Sequence, residues 1–323
     1  MQPRSPIWGS LGAREFHRRE RETFLGPSEY LPVDRVALKI AYDGTVFQGY
    51  ARQPALHTVE AEILRSLVRA GAIRDSQEAR FQSASRTDRG VSALGNVVAF
   101  DSSFPSSALP RAFNAKARGV WAWGVADVPA DFNARSAWER WYRYRLQGAQ
   151  DEQGLRTTLS LFLGEHDFRS FTRDRTRTVA RIDVAAVVRE DDIIHLEFRA
   201  PSFRWNLVRR LVAAALAVES EGASREDVES ALHNRSNVDF GLAPPEPLTL
   251  VDVLYGFPFR RVSDPTTVDR IRRLLAERTA SLQFAEALLG AFRGPADESA
   301  GTQVNSADTI PNSGQSEESS GDP

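Results

Sequence analysis

Short stretches in which large apolar residues alternate with small or polar ones constrain the fold of this chain more than any other feature. Residues 36–42 place an apolar side chain at every second position, and residues 140–146 do the same with tyrosine and leucine. Because successive side chains of a strand point to opposite faces, this period of two predicts half-buried strands. The same pattern predicts further strands at 96–100, 120–125, 182–188 and 193–198.

Helical patterns separate these strands. Thr58 can cap a helix whose first turn holds Glu60 and Glu62. Three more helices are predicted at 203–216, from Ser224 to about 232, and at 268–292, the last of them continuous or broken. Alternating rather than continuous apolar strands favour antiparallel sheets with one helix-covered face. The sequence therefore predicts an α+β protein.

The charge of the chain is unevenly distributed. Its 323 residues, enough for about two domains, include 41 basic and 43 acidic residues, a net charge of −2. Residues 294–323 hold six acids and no basic or aromatic residue, so they cannot offset the entropy lost on ordering, and we predict a disordered acidic tail. Without that tail the net charge is +4. Residues 1–34 are balanced in charge and are predicted to be an N-terminal extension.

Missing residue types exclude several kinds of chemistry. The chain has no cysteine, which excludes disulfides, thiolate zinc sites, iron–sulfur clusters and cysteine nucleophiles. Its five histidines have no metal-ligand spacing, so we expect no metal. The longest apolar run, Leu211–Val218, is far shorter than the ~18 residues that span a bilayer, and no apolar region of a signal peptide follows Met1. We expect a soluble cytoplasmic protein without a membrane segment.

Arginine supplies nearly all of the positive charge. Only Lys39 and Lys116 are lysines. Arginine is the better residue for bidentate phosphate contacts and for stacking on bases, although a GC-rich genome produces the same bias. Two dense groups, at 169–181 and at 135–145, are candidates for phosphate contacts with RNA. The alternative for both groups is an ordinary solvated surface.

The segment at residues 85–93, Ser-Arg-Thr-Asp-Arg-Gly-Val-Ser-Ala, carries the strongest chemical signal. If it is extended, Arg86 and Asp88 share one side and Thr87 faces the other. A neighbouring arginine favours the ionised carboxylate, and Gly90 permits a tight bend beside the pair. This arrangement suits a carboxylate that acts as a nucleophile or stabilises a cation. A structural Arg–Asp ion pair in a loop is the alternative.

Residues 85–93 also resemble the G-R-T-D-x-G-V-H-A signature of the tRNA pseudouridine synthase A family, with serine at 85 and 92 as in archaeal and eukaryotic members. Other family motifs follow the same order over about residues 36–260, with departures at Tyr50, Ala51 and Asn133. The matching segments are Y-D-G at 42–44, R-x-Y-x-Y at 140–144, G-x-H-D-F at 164–168 and F-x-x-x-M-V-R at 203–209, where Leu207 replaces methionine.

The resemblance implies isomerisation of uridine to pseudouridine in tRNA without a cofactor, with nucleotides 38 to 40 of the anticodon stem-loop as expected targets. It implies that Asp88 is the catalytic carboxylate. Arg86 would help flip the nucleotide or fill its vacated place, Tyr142 would stack on the target base, and Arg209 would pair with Asp88. One carboxylate can suffice, because an isomerisation that returns the same base needs no activated water, unlike glycoside hydrolysis. An aromatic residue that receives a flipped base fits the same chemistry.

The resemblance further implies two ferredoxin-like subdomains with antiparallel sheets covered by helices, an active-site cleft between them, and a homodimer. On this basis the chain divides into a catalytic subdomain carrying Asp88 at 35–135, a C-terminal subdomain at 136–262 and a helical extension at 263–293, between the terminal segments at 1–34 and 294–323.

Two other functions compete with the enzyme. A non-catalytic tRNA-binding protein on the same scaffold would bind tRNA without modifying it, but such a binder gains little from an anion, Asp88, that faces phosphates. A nucleosidase that uses Asp88 would release free uracil.

Overall fold

This computed structural model describes residues 34–292 except 147, 149 and 237. The described residues form eleven strands and six α-helices. The predicted acidic tail and nearly all of the predicted N-terminal extension lie outside the described residues. The strands are β1 (Asp34–Tyr42), β2 (Gln82–Ser83), β3 (Ser92–Ser102), β4 (Val120–Asp127), β5 (Glu139–Leu146), β6 (Gly164–Asp167), β7 (Val179–Ile182), β8 (Val184–Glu190), β9 (Ile193–Ala200), β10 (Leu248–Leu254) and β11 (Arg260–Arg261). The helices are α1 (Val59–Arg69), α2 (Leu109–Asn114), α3 (Glu152–Ser160), α4 (Leu207–Glu219), α5 (Arg225–Leu232) and α6 (Pro265–Phe292).

Nine of these strands form a single sheet in the order β11-β4-β1-β3-β10-β5-β9-β8, with β2 paired to β3 beside this path. The pair β6 and β7 forms a separate two-stranded sheet. Every pairing within the described residues is antiparallel except that of β3 with β10. The predicted α+β class with mainly antiparallel strands is therefore confirmed.

The same topology occurs twice in the sheet. The elements β1-α1-β2-β3-α2-β4 place their strands in the spatial order β4-β1-β3-β2, and β5-α3-β8-β9-α4-β10 give the corresponding order β10-β5-β9-β8. Ser92 and Ala93 of β3 pair with Thr249 and Leu250 of β10 and so join the two halves. We call this parallel pairing the seam. The segment just before β3, which contains Asp88, therefore lies beside the second half of the chain.

Strand β1 is buried on both faces, so the prediction of a half-buried strand is wrong here. Lys39, on the face predicted to be solvated, is only 6% exposed. Its ammonium lies 2.5 Å from a carboxylate oxygen of Asp252 and near the rings of Trp123 and Phe259. A buried charge requires such a partner. The second face is covered because the rings of Trp123, from β4, and Phe259, from the chain after β10, lie against Lys39 there.

The helices agree with most of the predicted signals. Thr58 accepts a hydrogen bond from the amide of Ala61 at the start of α1, and Ser224 forms a capping box at the start of α5. Helix α6 is continuous over 28 residues. Helix α4 begins at Leu207, four residues later than predicted, because Asn206 has a left-handed backbone conformation with φ 62°. Within residues 34–292 no helix is long and apolar enough to cross a membrane.

Candidate active site

A cavity of about 660 Å³ opens beside the seam. Both halves of the chain contribute to its walls. They supply the segment after β1, the segment before β3, one tyrosine of β5, the residues that lead into α4 together with its first turn, and the first residue of β10. The lining residues are Gln48, Gly49, Tyr50, Ala51, Gln53, Arg86, Thr87, Asp88, Arg89, Val91, Tyr142, Phe203, Arg204, Trp205, Asn206, Leu207, Val208, Arg209 and Leu248. All four site residues expected from the resemblance, Arg86, Asp88, Tyr142 and Arg209, lie in this lining.

Hydrogen bonds from the buried side hold the segment that carries Asp88. The hydroxyl groups of Thr87 and Tyr42 share a hydrogen bond of 2.9 Å, and the amide of Tyr50 donates to the Thr87 carbonyl at 3.2 Å. Thr87 therefore faces the core while Asp88 faces the cavity, as the alternation of an extended segment predicts. Gly90 has φ +86°, and a Cβ there would lie 2.8 Å from Pro245, so the bend requires glycine.

The buried guanidinium of Arg140 fixes the preceding turn of the same segment. It donates to the Ser85 hydroxyl at 3.1 Å and to the Ala84 carbonyl at 3.0 Å, and it also bonds the Pro201 carbonyl. Arg140 was predicted to belong to an RNA-facing group, and that prediction is wrong. Arg143 of the same group is also not available for phosphate contacts, because it pairs with Glu190 and Glu197.

One oxygen of the Asp88 carboxylate is held by two donors. Oδ2 accepts a hydrogen bond from Nη1 of Arg209 at 2.9 Å and another from Nδ2 of Asn206 at 2.5 Å. Among the described residues no donor bonds Oδ1 of Asp88, whose side chain is 24% exposed. The carboxylate is therefore oriented through one oxygen while the other is free to act on a bound molecule.

The partner of Asp88 differs from the one that the local pattern indicates. Within the described chain Asp88 pairs with Arg209, 121 residues away, and not with Arg86. Arg86 is exposed at the cavity wall. A salt bridge between neighbouring residues of a loop, the alternative considered for this motif, is therefore not what positions the carboxylate.

The start of helix α4 supplies both donors. Arg209 lies in its first turn, and its Nε donates to the Ala243 carbonyl at 2.8 Å, which fixes the direction of the guanidinium. Asn206 precedes the first turn with φ 62° and ψ 5°, a conformation that asparagine tolerates better than most residues. The positive end of the helix dipole adds to the attraction for an anion at this position.

Asn206 is a site residue that the sequence patterns did not reveal. The apolar spacing from Phe203 onward continues without interruption, so it places residue 206 inside a helix. One available signal was that asparagine is a preferred residue at the beginning of a helix. The distance from Asn206 to Asp88 along the chain leaves no local trace of their contact.

Tyr142 forms an aromatic wall of the cavity. Its ring meets Phe203 edge to face with 5.1 Å between centroids, and only 8% of the residue is exposed. Burial, the main cause, raises the pKa of the Tyr142 hydroxyl to about 12, and the negative charge of Asp88 adds to the rise. The hydroxyl is therefore neutral at physiological pH, and the wall offers an uncharged ring to a ligand.

The arginines of residues 169–181, which we call the arginine loop, are exposed as predicted. They are Arg169, Arg173, Arg175, Arg177 and Arg181. Phe171, in contrast, is fully buried and belongs to the core. Arg169 and Arg181 pair with nearby aspartates. Over the described residues no cluster of acidic and histidine side chains is suited to hold a metal ion.

Comparison with known proteins identifies first a class and then a family. Residues 159–256 match the sequence profile described as tRNA pseudouridine synthase. That match includes Asn206 and Arg209, while Asp88 and Tyr142 lie outside it. This partial match indicates the class, the tRNA pseudouridine synthases.

Similarity to individual proteins over most of the chain identifies the family within this class. The chain is 41% identical to the tRNA pseudouridine synthase A of Thermococcus sibiricus over 263 residues, which cover 79% of this chain and 97% of that protein. It is 40% identical to the protein of the same name from Methanococcoides burtonii over 248 residues, 74% of this chain and 89% of that protein. The chain belongs to the tRNA pseudouridine synthase A family, and its similarity to these archaeal members agrees with the serines at 85 and 92.

Proposed function

We propose that this enzyme forms pseudouridine in the anticodon stem-loop of tRNA, at nucleotides 38 to 40, with Asp88 as its catalytic carboxylate. The observation that carries the proposal is the asymmetric environment of this carboxylate. Oδ2 is held by Arg209 and Asn206, and Oδ1 has no partner among the residues described. The cavity volume of about 660 Å³ lies within the usual range of ligand sites, roughly 300–1,000 Å³.

The isomerisation breaks the bond between N1 of uracil and C1′ of ribose and makes a bond between C5 and C1′. A proton is lost from C5 and one is gained at N1, so no other reactant is needed. Asp88 would either attack the sugar to form a covalent adduct or remove a sugar proton to form a glycal. Both routes need an ionised carboxylate in a fixed direction, and the Arg209 guanidinium supplies the favourable charge at 2.9 Å.

The remaining site residues are assigned to the nucleotide. The Tyr142 ring would receive the uracil, because a base taken out of the RNA stack needs an apolar surface to replace its neighbours. Arg86 would occupy the space that the flipped nucleotide leaves, a role that suits its exposed position on the cavity wall. The arginine loop would contact phosphates, which provides affinity but no choice of sequence.

The repeated topology supports two ferredoxin-like subdomains, at 35–135 and 136–262, with 263–293 as a helical extension. Each half contains four strands in the spatial order fourth-first-third-second with two helices between them. The cleft would lie between the halves, where Asp88 of the first half contacts Asn206 and Arg209 of the second. A homodimer belongs to the proposal through the family resemblance alone, and a cytoplasmic location is carried over from the sequence-based expectation.

The test uses tRNA transcripts that carry uridine at only one of positions 38, 39 and 40. Carbodiimide labelling followed by primer extension locates pseudouridine, and product analysis detects free uracil. Wild-type protein is expected to modify at least one of these transcripts. Asp88→Asn should lower the rate by at least about 10³-fold. The control Asp131→Asn, which alters an exposed acid outside the cavity lining, should have no effect.

Other outcomes identify the competing functions. Normal activity in Asp88→Asn overturns the assignment of the carboxylate. Tight binding of tRNA by wild-type protein without pseudouridine indicates the non-catalytic binder, and release of uracil indicates the nucleosidase. Modification at positions other than 38 to 40 refutes the proposed target while leaving the isomerase assignment in place.

A further inference from the structure

We propose that Trp205 is a stacking platform for the base next to the target uridine. The proposal rests on the proposed function, because it concerns the same RNA at the mouth of the same cavity. It assigns to Trp205 a ligand class, an RNA base that has lost its stacking neighbour, that is separate from the uracil received inside the cavity.

The exposure of Trp205 is the first observation. Trp205 is 55% exposed and lines the cavity, whereas Phe203, two residues earlier, turns inward against Tyr142. A large aromatic surface left in water at the rim of a site favours a ligand with an apolar face. Phe203, inside the cavity, and Trp205, at its rim, are thus presented to two different positions of a ligand.

The second observation is that Trp205 is held in place before any ligand binds. Its carbonyl accepts hydrogen bonds from the amide of Arg173 at 3.2 Å and from the hydroxyl of Thr172 at 3.0 Å. Its amide donates to a carboxylate oxygen of Asp174 at 3.3 Å. These bonds tie the backbone of Trp205 to the arginine loop, so the point from which the indole projects is set before a base stacks on it.

The third observation is the charge around the ring. The Arg173 guanidinium lies 5.7 Å from the Trp205 ring centroid, a distance suited to a cation–π contact. Arg175 and Arg177 follow in the same exposed loop, and neither has a carboxylate partner among the described residues. An aromatic ring set among cations is the recurring surface for single-stranded nucleic acid, because bases stack while phosphates are neutralised.

Base flipping explains why a stacking surface is needed at this position. When the target uridine enters the cavity, the adjacent base loses a stacking partner. Stacking of that base on Trp205 would replace the lost contact at the same moment. Loss of one base–aromatic contact corresponds to roughly a tenfold or greater loss of affinity.

The experiment uses anticodon stem-loop RNAs with 2-aminopurine on the 5′ or the 3′ side of the target uridine. The fluorescence of this base is low when it is stacked and rises when it is not. In the Asp88→Asn background, which allows binding without reaction, the probe on one side is expected to remain dim. Adding Trp205→Ala should raise its fluorescence severalfold and weaken binding about tenfold, while Trp205→Phe retains much of both signals.

Trp138→Ala is the matched control. Trp138 is 70% exposed, yet it lies outside the cavity lining, so its loss should change neither fluorescence nor affinity. If neither probe brightens and affinity is unchanged in Trp205→Ala, the platform is refuted even when the wild-type protein forms pseudouridine. If the Trp205-dependent signal is present but wild-type protein makes no pseudouridine, the proposed function fails and the platform stands. Should Trp205→Ala fail to fold, the partial signal of Trp205→Phe decides the question.

Discussion

Removal of the Asn206 amide is expected to slow the chemical step without weakening RNA binding. The amide donates to Oδ2 of Asp88 at 2.5 Å, and a hydrogen bond to a charged group is worth about 1.5–3 kcal/mol. Because Arg209 still holds the same oxygen, the lower end of that range applies, which corresponds to a rate loss of about 10- to 30-fold. The amide bonds only the carboxylate, so KM should stay within about twofold.

Two substitutions separate this role from the backbone conformation. Asn206→Gly removes the amide and fits φ 62° without strain, whereas Asn206→Ala removes the amide and leaves a residue that disfavours this region by about 1–2 kcal/mol. Both variants should lose rate equally, but only the alanine variant should lose stability, by about 2–8 °C in Tm for a chain of this size. Asn206→Asp should be slower than either, because it sets a second carboxylate against Asp88.

Asn234→Gly is the control for this series. Asn234 also has a left-handed backbone, with φ 56°, and its amide donates to Asp167 at 3.3 Å, outside the cavity lining. The measurement is single-turnover release of tritium from tRNA labelled at C5 of uridine, together with thermal unfolding. A full rate in Asn206→Gly refutes the positioning role, and an equal rate loss in Asn234→Gly would show that the effect is not specific to the site.

The burial of Tyr142 and of the Lys39–Asp252 pair leads to two further predictions. The pKa of about 12 keeps Tyr142 neutral, so the pH–rate profile between pH 6 and 10 should have the same shape in Tyr142→Phe as in wild-type protein; an alkaline limb that disappears in the variant contradicts this. Lys39→Met leaves Asp252 buried without its partner and should cost about 3–5 kcal/mol in the free energy of unfolding. Burial raises the pKa of Asp252, so its contribution to stability is full below its unfolded pKa and is lost as pH rises through the folded pKa. The variant should therefore lose more stability at pH 8 than at pH 5 in denaturant titrations, and a loss that does not depend on pH refutes this reasoning.

Local patterns were sufficient where local physics decides the structure. The period of two located β5, and the cap residues Thr58 and Ser224 located the starts of α1 and α5. The alternation of residues 86–88 also placed the motif correctly, with Thr87 buried and Asp88 at the cavity. Each of these features depends on residues within a few positions along the chain.

Features that depend on residues far apart along the chain could not be predicted from local sequence patterns. The second buried face of β1 depends on aromatic residues from β4 and from the chain after β10, which no pattern within 36–42 reports. The contact of Asn206 with Asp88 spans 118 residues. The family resemblance supplied the pairing of Arg209 with Asp88, but the composition of the 85–93 segment by itself pointed to Arg86.

The seam between β3 and β10 also determines when during synthesis the site can exist. Domains fold from the N-terminus as the ribosome extends the chain, and Asp88 emerges well before Asn206, Arg209 and the β10 residues that pair with Ser92 and Ala93. A nascent chain that ends before residue 206 therefore carries the Asp88 carboxylate without the donors that orient it, and one that ends before β10 lacks the pairing that joins the two halves. The proposed site is therefore expected to assemble only after β10 has been made, and proteolytic removal of β10 is expected to inactivate the enzyme without touching Asp88.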